Sequence, residues 1–190
     1  MPKVFLVKAG RGRQRGVQRG RQRKTEWFVR DRSGFMLQLA RDVGALVRSA
    51  ARRGLIPTVR LNGTSDVDWC AIDVGEHANI FAAFPGVQFY DYTKRADLFA
   101  RPRPANYDLT FSRSELNGRT TARMLAAGNR VAVVFAIGRH DPLPATWLGR
   151  PVVDGDADDL RFLDAPSAVV GLRAKGPAKR AVVGGFVVSA

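Results

Sequence analysis

Three apolar runs each end in side chains able to bind an anion or move a proton. The first run ends in Arg60, Asn62, Gly63, Thr64, Ser65 and Asp66, the second in Asp91, Tyr92, Thr93 and Lys94, the third in Ser112, Arg113, Ser114 and Glu115. Arg60 and Arg113 present the planar fork of donors that suits phosphate or carboxylate, and Lys94 offers a point charge. Asp66 and Asp91 are the candidates for acid–base catalysis. Asn62, Ser65, Tyr92, Ser112 and Ser114 supply hydrogen-bonding groups that would orient a bound anion. Either Tyr90 or Tyr92 would stack on a ring, strand alternation sending the other to the core. Helix capping is the plainer reading, since every loop that leads into a helix needs an Asn, Asp or Ser. It accounts for one or two residues per loop, not for Arg60, Asp66, Asp91, Lys94 and Arg113 together.

The pattern of elements says how these groups would meet. Residues 56–62, 87–93, 107–114, 130–137, 168–174 and 181–189 read as strands, and the run RVAVVFAI at 130–137 is β-branched throughout its middle, as in a strand buried on both faces. Helices are expected over 35–53, 76–84 and 118–128. In the first, Leu39, Val43, Leu46, Val47 and Ala50 fall on one face and Arg41, Arg48 and Arg52 on another, with Ser33 as N-cap and Gly54 and Pro57 closing the end. Strand and helix in alternation argue for an α/β fold with a mostly parallel sheet. In such sheets, and in (β/α) barrels, ligands bind at the carboxyl ends of the strands, where the polar groups sit. The Pro-, Gly- and Asp-rich stretch from 139 to 164 reads as an insertion or edge structure.

Charge is distributed unevenly along the 190 residues. The net charge is +14, yet residues 1–60 hold 16 Lys and Arg against 3 acids while residues 61–190 hold 15 against 14. The segment KAGRGRQRGVQRGRQRK, residues 8–24, contains no acid and little that a core would bury, so residues 1–24 read as a flexible basic arm ahead of a single α/β domain over 25–190. Its Lys8, Arg11, Arg13, Arg15, Arg19, Arg21, Arg23 and Lys24 suit a nucleic-acid backbone, with salt-sensitive and largely sequence-independent affinity. A solvated tail is the alternative.

Other chemistries find little support. Cys70 is the single cysteine, which rules out an internal disulfide and a cysteine-rich metal site; a lone thiol of this kind reads as a small buried hydrophobe. Asp154, Asp156 and Asp158 alternate in DGDADD, but a calcium loop would need a glutamate where Ala165 stands. His77 and His140 have no ligand-like neighbours in sequence. Neither a phosphate-binding P-loop nor a nucleophile elbow occurs, and GRGRQRG lacks the strand and helix a nucleotide loop requires. No metal and no cofactor is expected. With no apolar run near the ~20 residues of a membrane span and no signal-peptide pattern, the expectation is a cytoplasmic protein without a membrane partner.

The stretches RLNGTSDVDW, FPGVQFYDYTK, YDLTFSRSE, RVAVVFA, VVDGDADDLRFLD and VVGLRAKG resemble the uncharacterised gene product 88 family of phages and plasmids, over roughly residues 20–190. The resemblance implies kinship to radical SAM barrels, whose members here carry a cysteine cluster upstream of the matched region. This chain has no cysteine before Cys70, so it cannot hold an iron–sulfur cluster of its own. Either it is a truncated or degenerate member or the cluster never mattered to what it does; its length agrees with a partial (β/α) barrel, a complete one needing about 250 residues. Three functions remain open: a mobile-element protein that associates with nucleic acid, an enzyme on a small anionic metabolite bound at the strand ends, and an inactive remnant that binds a protein.

Overall fold

The computed structural model describes residues 4–5, 15–176 and 185–189. Lys8, Arg11, Arg13 and the first part of the strand expected at 181–189 lie outside them. The fold is mixed α/β around a mostly parallel, open sheet. Its strands are β1 (Val4–Phe5), β2 (Ile56–Val59), β3 (Gln88–Thr93), β4 (Tyr107–Ser112), β5 (Val131–Phe135), β6 (Thr146–Trp147), β7 (Arg150–Asp154), β8 (Val169–Arg173) and β9 (Val187–Val188), and its helices α1 (Arg15–Arg30), α2 (Arg32–Arg52), α3 (Ile80–Ala83) and α4 (Gly118–Ala126). The strand order is β1-β2-β3-β4-β5-β8-β7-β6, with β9 beside β5. Every described pairing is parallel except β6 with β7. The insertion expected between 139 and 164 is the β6–β7 hairpin and the turn after it, and β7 joins the sheet beside β8.

The chain divides into two compact units, Met1–Phe89 with Arg103–Tyr107, and Tyr90–Pro102 with Asp108–Ala190. In the first, α1 and α2 are consecutive helices, and Thr58 and Val59 of β2 pair with Gln88 and Phe89. Phe81 of α3 stacks on Tyr107, ring centroids 4.1 Å apart, and meets Phe89 edge-on at 5.0 Å. Asp31 caps α2 by accepting the Gly34 amide at 2.9 Å. The expected cap, Ser33, lies inside the helix instead, because α2 starts one residue after α1 ends and only Asp31 stands in the break between them.

The basic segment also differs from expectation. Residues 15–24 belong to α1, so the boundary expected at residue 24 falls inside a helix. The apolar end supplies the reason. Trp27 and Phe28 pack edge-on against Phe35 of α2 at 5.4 and 5.3 Å, and Phe28 also meets Trp69 at 5.8 Å. Once that end is fixed, extending a helix through Arg, Gln and Lys costs little, since these are good helix formers and nucleation is already complete.

The second unit is built on β5, where four of five residues are buried. Its core gathers Phe111, Leu125, Val131, Val133, Phe135 and Val169. One edge of β5 is taken by β8 along its whole length. The other edge is shared: β4 pairs with Val131 and Ala132, and β9 takes over at Val134 and Phe135.

Candidate functional site

The first strand-end group is organised around Asn62, which is buried. Its Oδ1 accepts from Ser65 Oγ at 2.8 Å, from the Val67 amide at 3.0 Å and from Trp69 Nε1 at 3.0 Å, while Nδ2 donates to the Val67 carbonyl at 3.0 Å. One carboxamide thus folds the loop from 62 to 69 and pins the Trp69 indole under it. Asn62 holds the loop rather than facing outward from it. Asp66 stands exposed on the same loop.

That loop forms one side of a cleft of about 570 Å³ within the first unit. The helices form the other sides. On α1 the lining residues Arg21, Lys24, Thr25 and Phe28 follow helical spacing, as do Phe35, Leu39, Asp42, Val43 and Leu46 on α2. Arg60, Thr64 and Ser65 enter from the end of β2. Two groups of side chains that the sequence places 36 residues or more apart, Arg21 and Lys24 from the basic segment and Arg60 and Ser65 from the strand end, line one cavity. Three cations and one carboxylate, Asp42, face it, and Asp42 Oδ1 accepts from Gln38 Nε2 at 2.8 Å. The apolar part of the lining holds the rings of Phe28, Phe35 and Trp69. Trp69 is buried, Phe28 and Phe35 are half-buried, and the Arg32 guanidinium sits over the Phe28 ring, 5.0 Å from its centroid.

In the second unit the polar strand ends are engaged with the protein itself. Arg113 Nη1 donates to the carbonyls of Gly185 and Phe186 at 2.7 and 3.0 Å, the two residues before β9. Burial lowers the guanidinium's pKa, with the Glu115 carboxylate opposing the shift. Arg113 therefore fastens β9 to the point where β4 leaves β5. Asn117 bonds the Ser114 amide at 2.7 Å and the Ser112 carbonyl at 3.0 Å, shaping the turn into α4. Asp91 is buried, Lys94 is exposed, and the Tyr92 hydroxyl donates to Asp159 at 3.2 Å. The acidic run after β7 is likewise matched by cations: Arg173 bonds Asp154 and Asp156, Lys175 bonds Asp156, and Arg161 bonds Asp158. Among the described residues no cluster of His, Cys, Asp and Glu is arranged to hold a metal, and no helix is long and apolar enough to cross a membrane.

Sequence reasoning missed the aromatic wall. Phe28, Phe35 and Trp69 lie in three separate segments, and none carries a polar signal. One clue was present: in RQRKTEWF the basic residues Arg21 and Lys24 precede Phe28 by seven and four positions, the spacing of one helix face. Comparison with known proteins adds one finding: the family model described as Gene product 88 matches residues 5–188. The curated proteins and the solved structures give no match.

Proposed function

We propose that this chain, which belongs to the gene product 88 family, is a nucleic-acid-binding protein of a phage or plasmid that works in the cytoplasm and takes its ligand in the cleft between α1, α2 and the end of β2. The observation that carries the reading is the lining of that cleft. Arg21, Lys24 and Arg60 converge on it from two elements against the single carboxylate of Asp42, over an aromatic and aliphatic floor. Phosphate groups meet the cations, and the net positive lining attracts a polyanion before contact. The exposed Arg19 and Arg23 on α1 extend the positive surface beyond the cleft. The residues of the second unit, Asp91, Tyr92, Lys94, Ser112, Arg113 and Ser114, have no part in this reading.

A salt series with the full chain and a labelled oligonucleotide tests it. Each cation that neutralises a phosphate contributes about 0.7–0.9 to the slope of log K against log salt. Arg21→Ala and Lys24→Ala are each expected to lower that slope by roughly one contact, while Arg139→Ala, exposed in the second unit, leaves it unchanged. Binding that ignores salt, or that loses as much with Arg139→Ala as with Lys24→Ala, overturns the proposal.

A further inference from the structure

Resting on that reading, we infer that the ligand is a single strand, held with an unpaired base against the aromatic wall of the cleft. The cations alone do not separate a single strand from a duplex, because both offer phosphates. The floor of the cleft does. Phe28 and Phe35 line the cavity and are only half-buried. A duplex hides its base faces in its own stack and presents phosphates and groove edges, which would leave these rings facing water. A single strand has base faces to give, and every base has one, so stacking on a protein ring is tolerant of sequence.

The placement of charge agrees. Lys24 and Arg21 lie one and two turns from Phe28 on the same face of α1, and Arg60 stands across the cleft just past the end of β2. A base entering the cavity would have its own phosphates within the zone of these cations. The exposed Arg32 lies over one face of the Phe28 ring, 5.0 Å from its centroid, and a base stacking on that face would take its place. The cavity, at about 570 Å³, lies in the range of sites that take one small ligand or a single nucleotide unit, not a rod of paired strands.

The test compares four partners of the full chain at equal salt: a labelled thymidylate dodecamer, the same length of duplex, a dodecamer with abasic sugars in place of its bases, and inorganic phosphate. The dodecamer is expected to bind at least tenfold more tightly than the duplex or the abasic strand, with the same salt slope for both single strands. Phe28→Leu is expected to weaken the normal strand by about 5- to 150-fold, the range for one base stacked on a ring, and to leave the abasic strand unchanged. The abasic comparison needs no substitution, so it holds even if Phe28→Leu fails to fold. Equal affinity for the normal and abasic strands, or tighter binding of the duplex, overturns the inference and leaves the cation reading standing. Binding to none of the polymers, or no better than to phosphate, overturns both.

Discussion

Replacing Asn62 by alanine tests how the cleft is built. The substitution removes four hydrogen bonds at once: three accepted by Oδ1 and one donated by Nδ2. Ser65 is exposed, so water replaces its bond at little cost. Trp69 Nε1 belongs to a side chain only 6% exposed, and losing its acceptor costs about 1–3 kcal/mol. The amide and carbonyl of half-buried Val67 each lose a net bond worth about 0.5–1.5 kcal/mol, partly recovered by water. Together the loss is expected near 3 kcal/mol. Urea denaturation followed by tryptophan fluorescence measures it, in a Trp147→Phe background so that both remaining indoles, Trp27 and Trp69, report on the first unit. Trp69→Phe, alone and combined with Asn62→Ala, completes a double-mutant cycle, and the pair is expected to couple by about 1–2 kcal/mol. A cost below about 0.5 kcal/mol with no coupling would mean that water takes over the carboxamide's role and that the loop keeps its shape for another reason. The same variant is expected to lose oligonucleotide affinity, because Thr64, Ser65 and Trp69 all line the cleft.

Three further outcomes follow from the second unit. At Gly171 an added Cβ would lie 2.7 Å from Val152 Cγ1 and 2.8 Å from Leu143 Cδ2, so Gly171→Ala is expected to destabilise by about 1–3 kcal/mol through overpacking, read as a lower urea midpoint. Arg113→Ala releases the carbonyls of Gly185 and Phe186, and the Ala136 amide, which donates to the Val188 carbonyl at 2.8 Å, is expected to exchange its hydrogen faster while Val133 does not. Acid lability is expected to centre on Asp154 and Asp156. Hydrogen bonds from Arg173 hold Asp154 below its usual 3.8; at Asp156 burial pushes the other way but the bonds from Lys175 and the Arg173 amide outweigh it. Both lowered values mean that the unfolded chain takes up protons first, so their stabilisation is complete above 3.8 and fades as pH falls through the folded values. Asp164, raised mainly by burial, runs the other way, its ionised form being the unfavourable one in the fold. Melting curves of Asp156→Asn against the parent between pH 2 and 6 check this: the parent is expected to lose more stability on acidification, and parallel curves would remove these carboxylates from the explanation.

The fold was legible where a residue's local preference and its burial agree. The run at 130–137 is β-branched because β5 is paired on both edges and four of its five residues are buried. The helix at 35–53 was readable from its spacing. Strand β9 was harder: it has two paired residues, and its place beside β5 depends on β4 stopping at Ser112, which no local pattern announces. In the basic segment composition and helix propensity point in opposite directions. Its charge and glycines argue against a self-sufficient fold, whereas its Arg, Gln and Lys argue for a helix given an anchor, and the anchor, Phe28 on Phe35, lies outside the segment.

The strand-end rule identified where polar residues gather but not which of them remain available to a ligand. Asn62 and Arg113 show why. Each has the chemistry of a ligand-binding group, and each directs it to backbone or side-chain atoms of its own unit, because a loop leaving a sheet carries amides and carbonyls that must be satisfied. Asn62 satisfies a loop and Arg113 a strand junction, tasks that the sequence cannot distinguish from anion binding because the donors and acceptors are the same. Arg60 and Ser65 line a cavity that two helices bring to the strand end, Ser65 while its hydroxyl donates to Asn62. What makes a polar strand end into a site is therefore the element packed beside it, and in the first unit that element is the basic, aromatic-tipped α1, whose cations and rings complete on one side of the cleft what the end of β2 begins on the other.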